Sequence, residues 1–202
     1  MFEQVKLNYD FTALEPYIDA ATMEVHYTGH HATYCKNFND LIAAIPELQG
    51  KTVEEILMNL DKAPEAQRTA LKNNGGGYYN HNLYFESLSP KGGQAPSGAL
   101  AAQITADFGD FDTLVAELKK AALAQFGSGY AWLVYDPKEQ KLAVTKDGNQ
   151  ESPVMDGVTK ALLPIDVWEH AYYLKHKNKR AAYLDDLFQV IDWDVVARRF
   201  EA

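Results

Sequence analysis

The sequence predicts an α+β protein: an all-helical N-terminal half built on a long antiparallel helix pair, then a C-terminal α/β half with a small three-stranded antiparallel sheet. Three observations carry this. Apolar and aromatic residues recur at a helical period over 19–45, and Pro64-Glu65 signals the start of a second long helix before residue 90. The tract Ser89-Pro90-Lys91-Gly92-Gly93-Gln94-Ala95-Pro96-Ser97-Gly98 then places two prolines and three glycines in ten residues, which marks a linker. Beyond it, short β-branched and aromatic runs bounded by Asp136-Pro137 and Asp147-Gly148 sit among capped helical segments. The linker divides the chain into a helical hairpin domain over 1–90 and an α+β domain over 91–202.

The first helix is expected over 19–45, where Met23, Tyr27, Tyr34, Phe38, Leu41 and Ile45 keep close to a helical spacing. His26, His30 and Tyr34 fall on it at i, i+4 and i+8. A drift of about 40° per step leaves all three on one face. A short helical turn is expected within 51–60. The second long helix begins near Pro64-Glu65, since proline is tolerated in a first turn and glutamate complements the helix dipole there. It runs to about Ser87 and contains Gly75-Gly76-Gly77. Each glycine costs about 1 kcal/mol relative to alanine in a continuous helix, so either the helix breaks there or a neighbour needs the missing side chains. Gly77 lies one turn before His81 on the same face, which predicts open space beside that imidazole for a group from elsewhere.

After the linker, Ser97 can cap a helix to about Phe108 closed by Gly109, and Asp110 another to Phe126 closed by Gly127. Residues 130–135 and 141–146 form a hairpin, and 161–166 a third strand that ends at Asp166. Helices over 179–190 and from 194 to the C-terminus complete the chain.

Of the 202 residues, 47% are hydrophobic, enough for a proper core. No apolar run approaches the roughly 20 residues needed to cross a bilayer. The start Met1-Phe2-Glu3-Gln4 lacks the basic-then-apolar layout of a signal peptide, so the expectation is a cytoplasmic protein with no membrane partner. The net charge of −9, from 28 acidic against 19 basic residues, argues against a nucleic-acid surface. Cys35 is the only cysteine, which excludes an internal disulfide and a cysteine-based metal cluster.

The stretch Asp166-Val167-Trp168-Glu169-His170-Ala171-Tyr172-Tyr173 holds a carboxylate and an imidazole four residues apart among bulky aromatics. Such a mixed pair suits iron, manganese or zinc. Two ligands alone hold no transition metal tightly, and His26, His30 and His81 are the candidates to complete the set. An aspartate can equally cap the turn that follows it, and a histidine among aromatics is often a satisfied core residue. Spacing alone leaves both readings open. Assembled from His26, His81, Asp166 and His170, a site would lie between the two halves, and three neutral nitrogens with one carboxylate suit a redox-active first-row metal. A mononuclear oxygenase would use two histidines and one carboxylate, and the third histidine counts against it. A catalytically silent metal store would bind the ion without turnover.

Asp166-Val167-Trp168-Glu169-His170-Ala171-Tyr172-Tyr173 resembles the C-terminal metal-binding signature of the iron/manganese superoxide dismutases. Leu14-Glu15-Pro16-Tyr17-Ile18-Asp19 with the His26 to Tyr34 stretch resembles the family's opening, residues 73–81 its second ligand helix, and Phe126-Gly127-Ser128-Gly129-Tyr130-Ala131-Trp132-Leu133-Val134 its first strand. The resemblance implies that His26, His81, Asp166 and His170 bind one manganese ion per subunit, with iron as the alternative, and that a solvent molecule completes the coordination. It implies dismutation of superoxide to dioxygen and hydrogen peroxide. It makes Tyr34 and His30 groups that pass protons and gate access, Gln150 the amide that contacts the bound solvent, and Trp132 a wall of the pocket. Glu169 and Tyr173 match residues that reach His170 of the partner subunit and His30 of the partner subunit, so a homodimer is expected, with a tetramer as the larger alternative. Gly77 together with Gln150 resembles the manganese-type members. Phe85 and Tyr130 depart from the tryptophans usual in the family, and Tyr27 and Tyr78 from common histidines. The basic run Lys175-His176-Lys177-Asn178-Lys179-Arg180, Arg180 above all, is expected to guide the anion inward. His31 and His176 are expected to lie outside the site.

Overall fold

The first long helix keeps its course but changes its hydrogen-bond pattern. The computed structural model describes residues 1–158 and 160–202, and in it α1 (Ala20–Glu24) leads into a π-helical stretch, Val25–His31, and then into α2 (Ala32–Ala44). In a regular α-helix a residue five positions on lies about 140° around the axis. Bonding from i to i+5 brings it back toward the same side. Both His26 and His31 are therefore buried, at 1% and 0% exposure, while His30 turns outward. The π-helical register adds His31 to the buried side, while His30 and Tyr34 still lie against ligand rings, His30 stacked 4.1 Å from His170 and Tyr34 5.2 Å from His81.

A capping box starts α3 (Val53–Leu57), with Glu55 N donating to Thr52 Oγ1 at 3.2 Å and Thr52 N to Glu55 Oε2 at 2.8 Å. The second long helix, α4 (Glu65–Glu86), runs unbroken through its three glycines. Close packing explains their presence. A Cβ on Gly75 would lie 2.9 Å from the Phe38 ring, one on Gly77 2.4 Å from the Tyr34 ring, and one on Gly76 2.1 Å from the Gln150 carbonyl oxygen. The space expected beside Gly77 thus belongs to Tyr34, and Gln150 approaches the helix over Gly76 instead.

In the second half, α5 (Gly98–Phe108) ends at Gly109, whose φ of +89° suits glycine. Asp110 caps α6 (Phe111–Ala124) by accepting from Thr113 N at 2.7 Å. That helix stops short of Phe126, and the Arg180 guanidinium binds the carbonyls of Ala122, Gln125 and Gly127 at its end. Strands β1 (Gly129–Asp136), β2 (Lys141–Gly148) and β3 (Lys160–Asp166) form an antiparallel sheet in the order β2-β1-β3. Helices α7 (Tyr173–His176), α8 (Arg180–Leu187) and α9 (Trp193–Glu201) follow, the last capped by Asp192.

Alternation along β1 places its side chains in two cores. Ala131 and Leu133 pack with α5, α6, α8 and α9, whereas Tyr130, Trp132 and Val134 pack with Phe38, Leu71 and Tyr78 of the helix pair. Tyr130 pairs directly with Asp166 across the β1–β3 ladder. The sheet thereby brings the end of β3 against the long helices. Among the described residues, no helix is long and apolar enough to cross a membrane.

Candidate metal centre

Four residues from distant parts of the chain converge. His26 comes from the π-helical stretch, His81 from α4, Asp166 from the end of β3 and His170 from the turn after it, and one ligand-type atom of each lies within 4.8 Å of all the others. Asp166 Oδ2 is 3.2 Å from His26 Nε2 and 3.3 Å from His170 Nε2. The other carboxylate oxygen, Oδ1, accepts from Trp168 N at 2.9 Å, so Asp166 also caps the turn that follows it. Its main-chain carbonyl accepts from Tyr183 Oη at 2.9 Å, and Tyr84 Oη lies 3.1 Å from that phenol.

The nitrogens are oriented for a cation. His81 Nδ1 lies 2.7 Å from the Gly77 carbonyl, and since a carbonyl only accepts, Nδ1 carries the hydrogen and Nε2 presents its lone pair. His81 Nε2 and His26 Nε2 are both buried without a hydrogen-bond partner; the latter's 3.2 Å approach to Asp166 lacks hydrogen-bond geometry. A buried polar nitrogen without a partner is costly unless something fills the space beside it. Burial pushes the His26 imidazole down to about 4, against the pull of Asp166, and holds His81 well below its ordinary value. Burial alone would raise the Asp166 carboxyl, but His170 and then His26 beside it keep it far below the carboxylate range. At neutral pH the buried centre therefore offers a carboxylate with neutral His26 and His81, a donor set that fits a divalent or trivalent first-row metal.

Around these four, Gln150 is 3% exposed and its Nε2 donates to Tyr34 Oη at 3.3 Å. Burial raises the Tyr34 hydroxyl, with Gln150 opposing the shift. The Gln150 Oε1 accepts from Tyr130 Oη at 3.1 Å and from Asn80 Nδ2 at 3.3 Å. His30 stacks on His170 at 4.1 Å between ring centroids, and partial burial lowers its pKa. A cavity of about 270 Å³ opens from here to solvent, lined by Tyr34, Lys72, Asn73, Gln150 and Trp168 among others. Lys72 and Glu151 pair at 2.7 Å beside it.

Several expectations need correction. Trp132 is fully buried beside Tyr130, and the tryptophan that lines the opening is Trp168, stacked 5.4 Å from His170 with its Nε1 bonded to the Asn149 carbonyl. Arg180 does not reach toward the opening: its guanidinium is bound to the carbonyls of Ala122, Gln125, Gly127 and Val167. Lys175 is held by Asp186 and the carbonyls of Pro16 and Tyr17, and His176 by Asp186. Lys175, His176 and Arg180 of the basic run clamp segments together, a role their charge alone could not reveal. His31 is no bystander either, since its ring stacks on His81 at 5.7 Å. Glu169 and Tyr173 are exposed on the single chain and lie outside the cluster. Trp168 and Asn80 each adjoin a quoted ligand or its motif, and that adjacency was the available signal for them.

The whole chain has relatives. Residues 1–89 match a family model described as the α-hairpin domain of iron/manganese superoxide dismutases, and residues 96–199 match the C-terminal domain of the same family. A protein of Listeria monocytogenes named superoxide dismutase [Mn] is 48% identical, over 100% of this chain and 98% of its own length. One of Methylomonas sp. (strain J) named superoxide dismutase [Mn/Fe] is 49% identical over 96% of this chain and 95% of its own. Superoxide dismutase [Mn] 1 of Leptolyngbya boryana is 46% identical over 96% of this chain and 78% of its own.

Proposed function

Because the chain belongs to the iron/manganese superoxide dismutase family, we propose that it disproportionates superoxide at the cluster of His26, His81, Asp166 and His170. The observation that carries the reading is the convergence of these four ligand atoms, among them the buried, unpartnered lone pair of His81 Nε2. A bound manganese or iron ion would supply the one-electron couple that oxidises one superoxide to dioxygen and reduces the next to hydrogen peroxide.

The chain's own groups manage access and protons. Tyr34 keeps its hydroxyl proton because burial raises its pKa, and Gln150 fixes the oxygen by donating to it. Both line the opening, so a proton can be held where peroxide must gain one. Trp168 covers His170 on the solvent side and limits entry to small species. Manganese is the metal we assign, supported by the Gln150 side-chain amide held against Tyr34, with the main chain of Gln150 packed over Gly76, an arrangement able to set the proton affinity of a solvent ligand. Reconstituting the apoprotein with manganese or iron separately and measuring turnover per bound ion tests this. High activity with iron alone overturns the metal, and no dismutation with either overturns the function.

The reading includes a homodimer. Phe126 is 98% exposed and Leu174 50%, and Arg180 ties the segment of Phe126 to the segment of Glu169, Tyr173 and Leu174. Such apolar exposure is suited to a second copy of the chain. A cytoplasmic location also belongs to the proposal, in keeping with the lone free Cys35 and a reducing compartment.

A further inference from the structure

We propose that Lys72 and Glu151 determine how readily an anion enters the opening: Glu151 offsets the cation that faces the approach, and their pairing, not the basic run near Arg180, sets the local charge there. The inference deepens the function proposed above and rests on it. Of the described residues that line the cavity, Lys72 and Glu151 are the charged ones, and the rest are Tyr34, Gln150, Trp168 and two asparagines. Lys72 Nζ lies 2.7 Å from Glu151 Oε1, a contact between residues 79 positions apart that joins α4 to the loop after β2. Both side chains stay open to solvent, at 40% and 48% exposure.

A chain of net charge −9 repels an approaching anion, so capture depends on the charges at the point of entry. Lys175, His176 and Arg180 are bound elsewhere in the fold. Among the described residues this leaves Lys72 as the cation at the cavity. Glu151 cancels most of its field, because opposite charges 2.7 Å apart form a short dipole whose pull falls away faster with distance than that of a single charge. An exposed pair of this kind adds little stability, so either charge can be removed without unfolding the chain. The main chain beside it is anchored separately. Glu151 N donates to the Gly148 carbonyl at 3.1 Å, and Asn80 Nδ2 donates to the Gln150 and Glu151 carbonyls at 3.3 Å each. Neutralising Glu151 therefore changes the charge of the opening while Gln150 keeps its seat against Tyr34.

The test uses the manganese-loaded protein and two readouts, kcat/KM for superoxide and quenching of tryptophan fluorescence by iodide, with neutral acrylamide as the reference quencher. Of the three tryptophans, Trp132 and Trp193 are buried at 0% and 2% exposure, so Trp168 at the opening reports the anion. At fixed low ionic strength, Glu151→Gln should raise kcat/KM and the iodide quenching constant by about 2- to 5-fold, the scale for one charge acting through water over about 5–8 Å. Added salt should erase the gain, while kcat and acrylamide quenching hold. Lys72→Gln should lower both readouts by a similar factor, and the double variant should return close to wild type. A purely structural role for the bond predicts that both single variants move the same way, because each breaks it, and that result overturns the inference. An equal gain in Asp185→Asn also overturns it, since that variant makes the same change in net charge at an exposed pair outside the cavity. So does a rise in iodide quenching with no rise in kcat/KM. If wild type fails to dismutate superoxide, the proposed function falls instead, and iodide quenching alone decides the charge of the opening.

Discussion

Replacing Gly76 with alanine should harm this protein although it improves the helix. The added Cβ would sit 2.1 Å from the Gln150 carbonyl oxygen and 2.8 Å from Met155 Cε. An ordinary carbon–oxygen contact is about 3.3 Å or more, so the Gln150 segment must retreat by roughly 1 Å. Overpacking of this kind costs about 1–3 kcal/mol, against a gain of up to about 1 kcal/mol from replacing a mid-helix glycine. The net loss is up to about 2 kcal/mol, a fall in Tm of up to about 8 °C for a chain of this size. The functional effect is larger, since a displacement of about 1 Å at a positioned group can cost about 100-fold in rate. Thermal unfolding and turnover per bound ion measure the two. Gly29→Ala is the control, because nothing lies within 4 Å of its added Cβ, and it should hold or raise Tm. A Gly76→Ala protein with wild-type turnover and raised Tm would refute the packing argument.

Other consequences concern pH, the clamp and the interface. His26 and His31 each have a pKa lowered to about 4, mainly by burial. The unfolded chain takes up protons at these rings near 6.5 and the folded chain only near 4, so metal-free protein should lose stability as pH falls through that window, by about 3 kcal/mol for each ring. Denaturant unfolding of the apoprotein at pH 7 and 4.5 checks this, and equal midpoints would contradict it. Arg180→Ala should cost roughly 2–3 kcal/mol through the carbonyls it leaves unpaired, lowering Tm by about 4–12 °C. Unchanged Tm with a weakened salt dependence of the rate would restore the steering role to Arg180. Glu169→Ala should shift sedimentation toward monomer, whereas a fully active wild-type monomer would remove the dimer.

Much of the architecture was legible because local signals and tertiary structure agree. Asp110 caps its helix, Gly109 ends the one before it, and Asp136-Pro137 bounds β1 where expected. The four converging residues were legible through their motif and family resemblance. What escaped reading depended on partners remote in sequence. No local pattern shows that His31 rotates inward, because that follows from a π-helical register. Gly77 suggested a gap beside His81, yet only the fold shows that Tyr34 fills it and that Gln150 comes over Gly76. Arg180 looked like free charge because the carbonyls that hold it lie 13 to 58 positions away.

The central claim is that His26, His81, Asp166 and His170 hold one redox metal that turns over superoxide, and the most direct measurement is metal bound per chain alongside dismutation rate, in wild type and His81→Ala. His81 is the choice because its Nε2 is fully buried, faces the other three ligands and has no other partner. The account predicts close to one manganese per wild-type chain with rapid dismutation, and a joint loss of metal and rate, about 100-fold or more in affinity, in His81→Ala. A His81→Ala protein that keeps one ion per chain and the wild-type rate would contradict it.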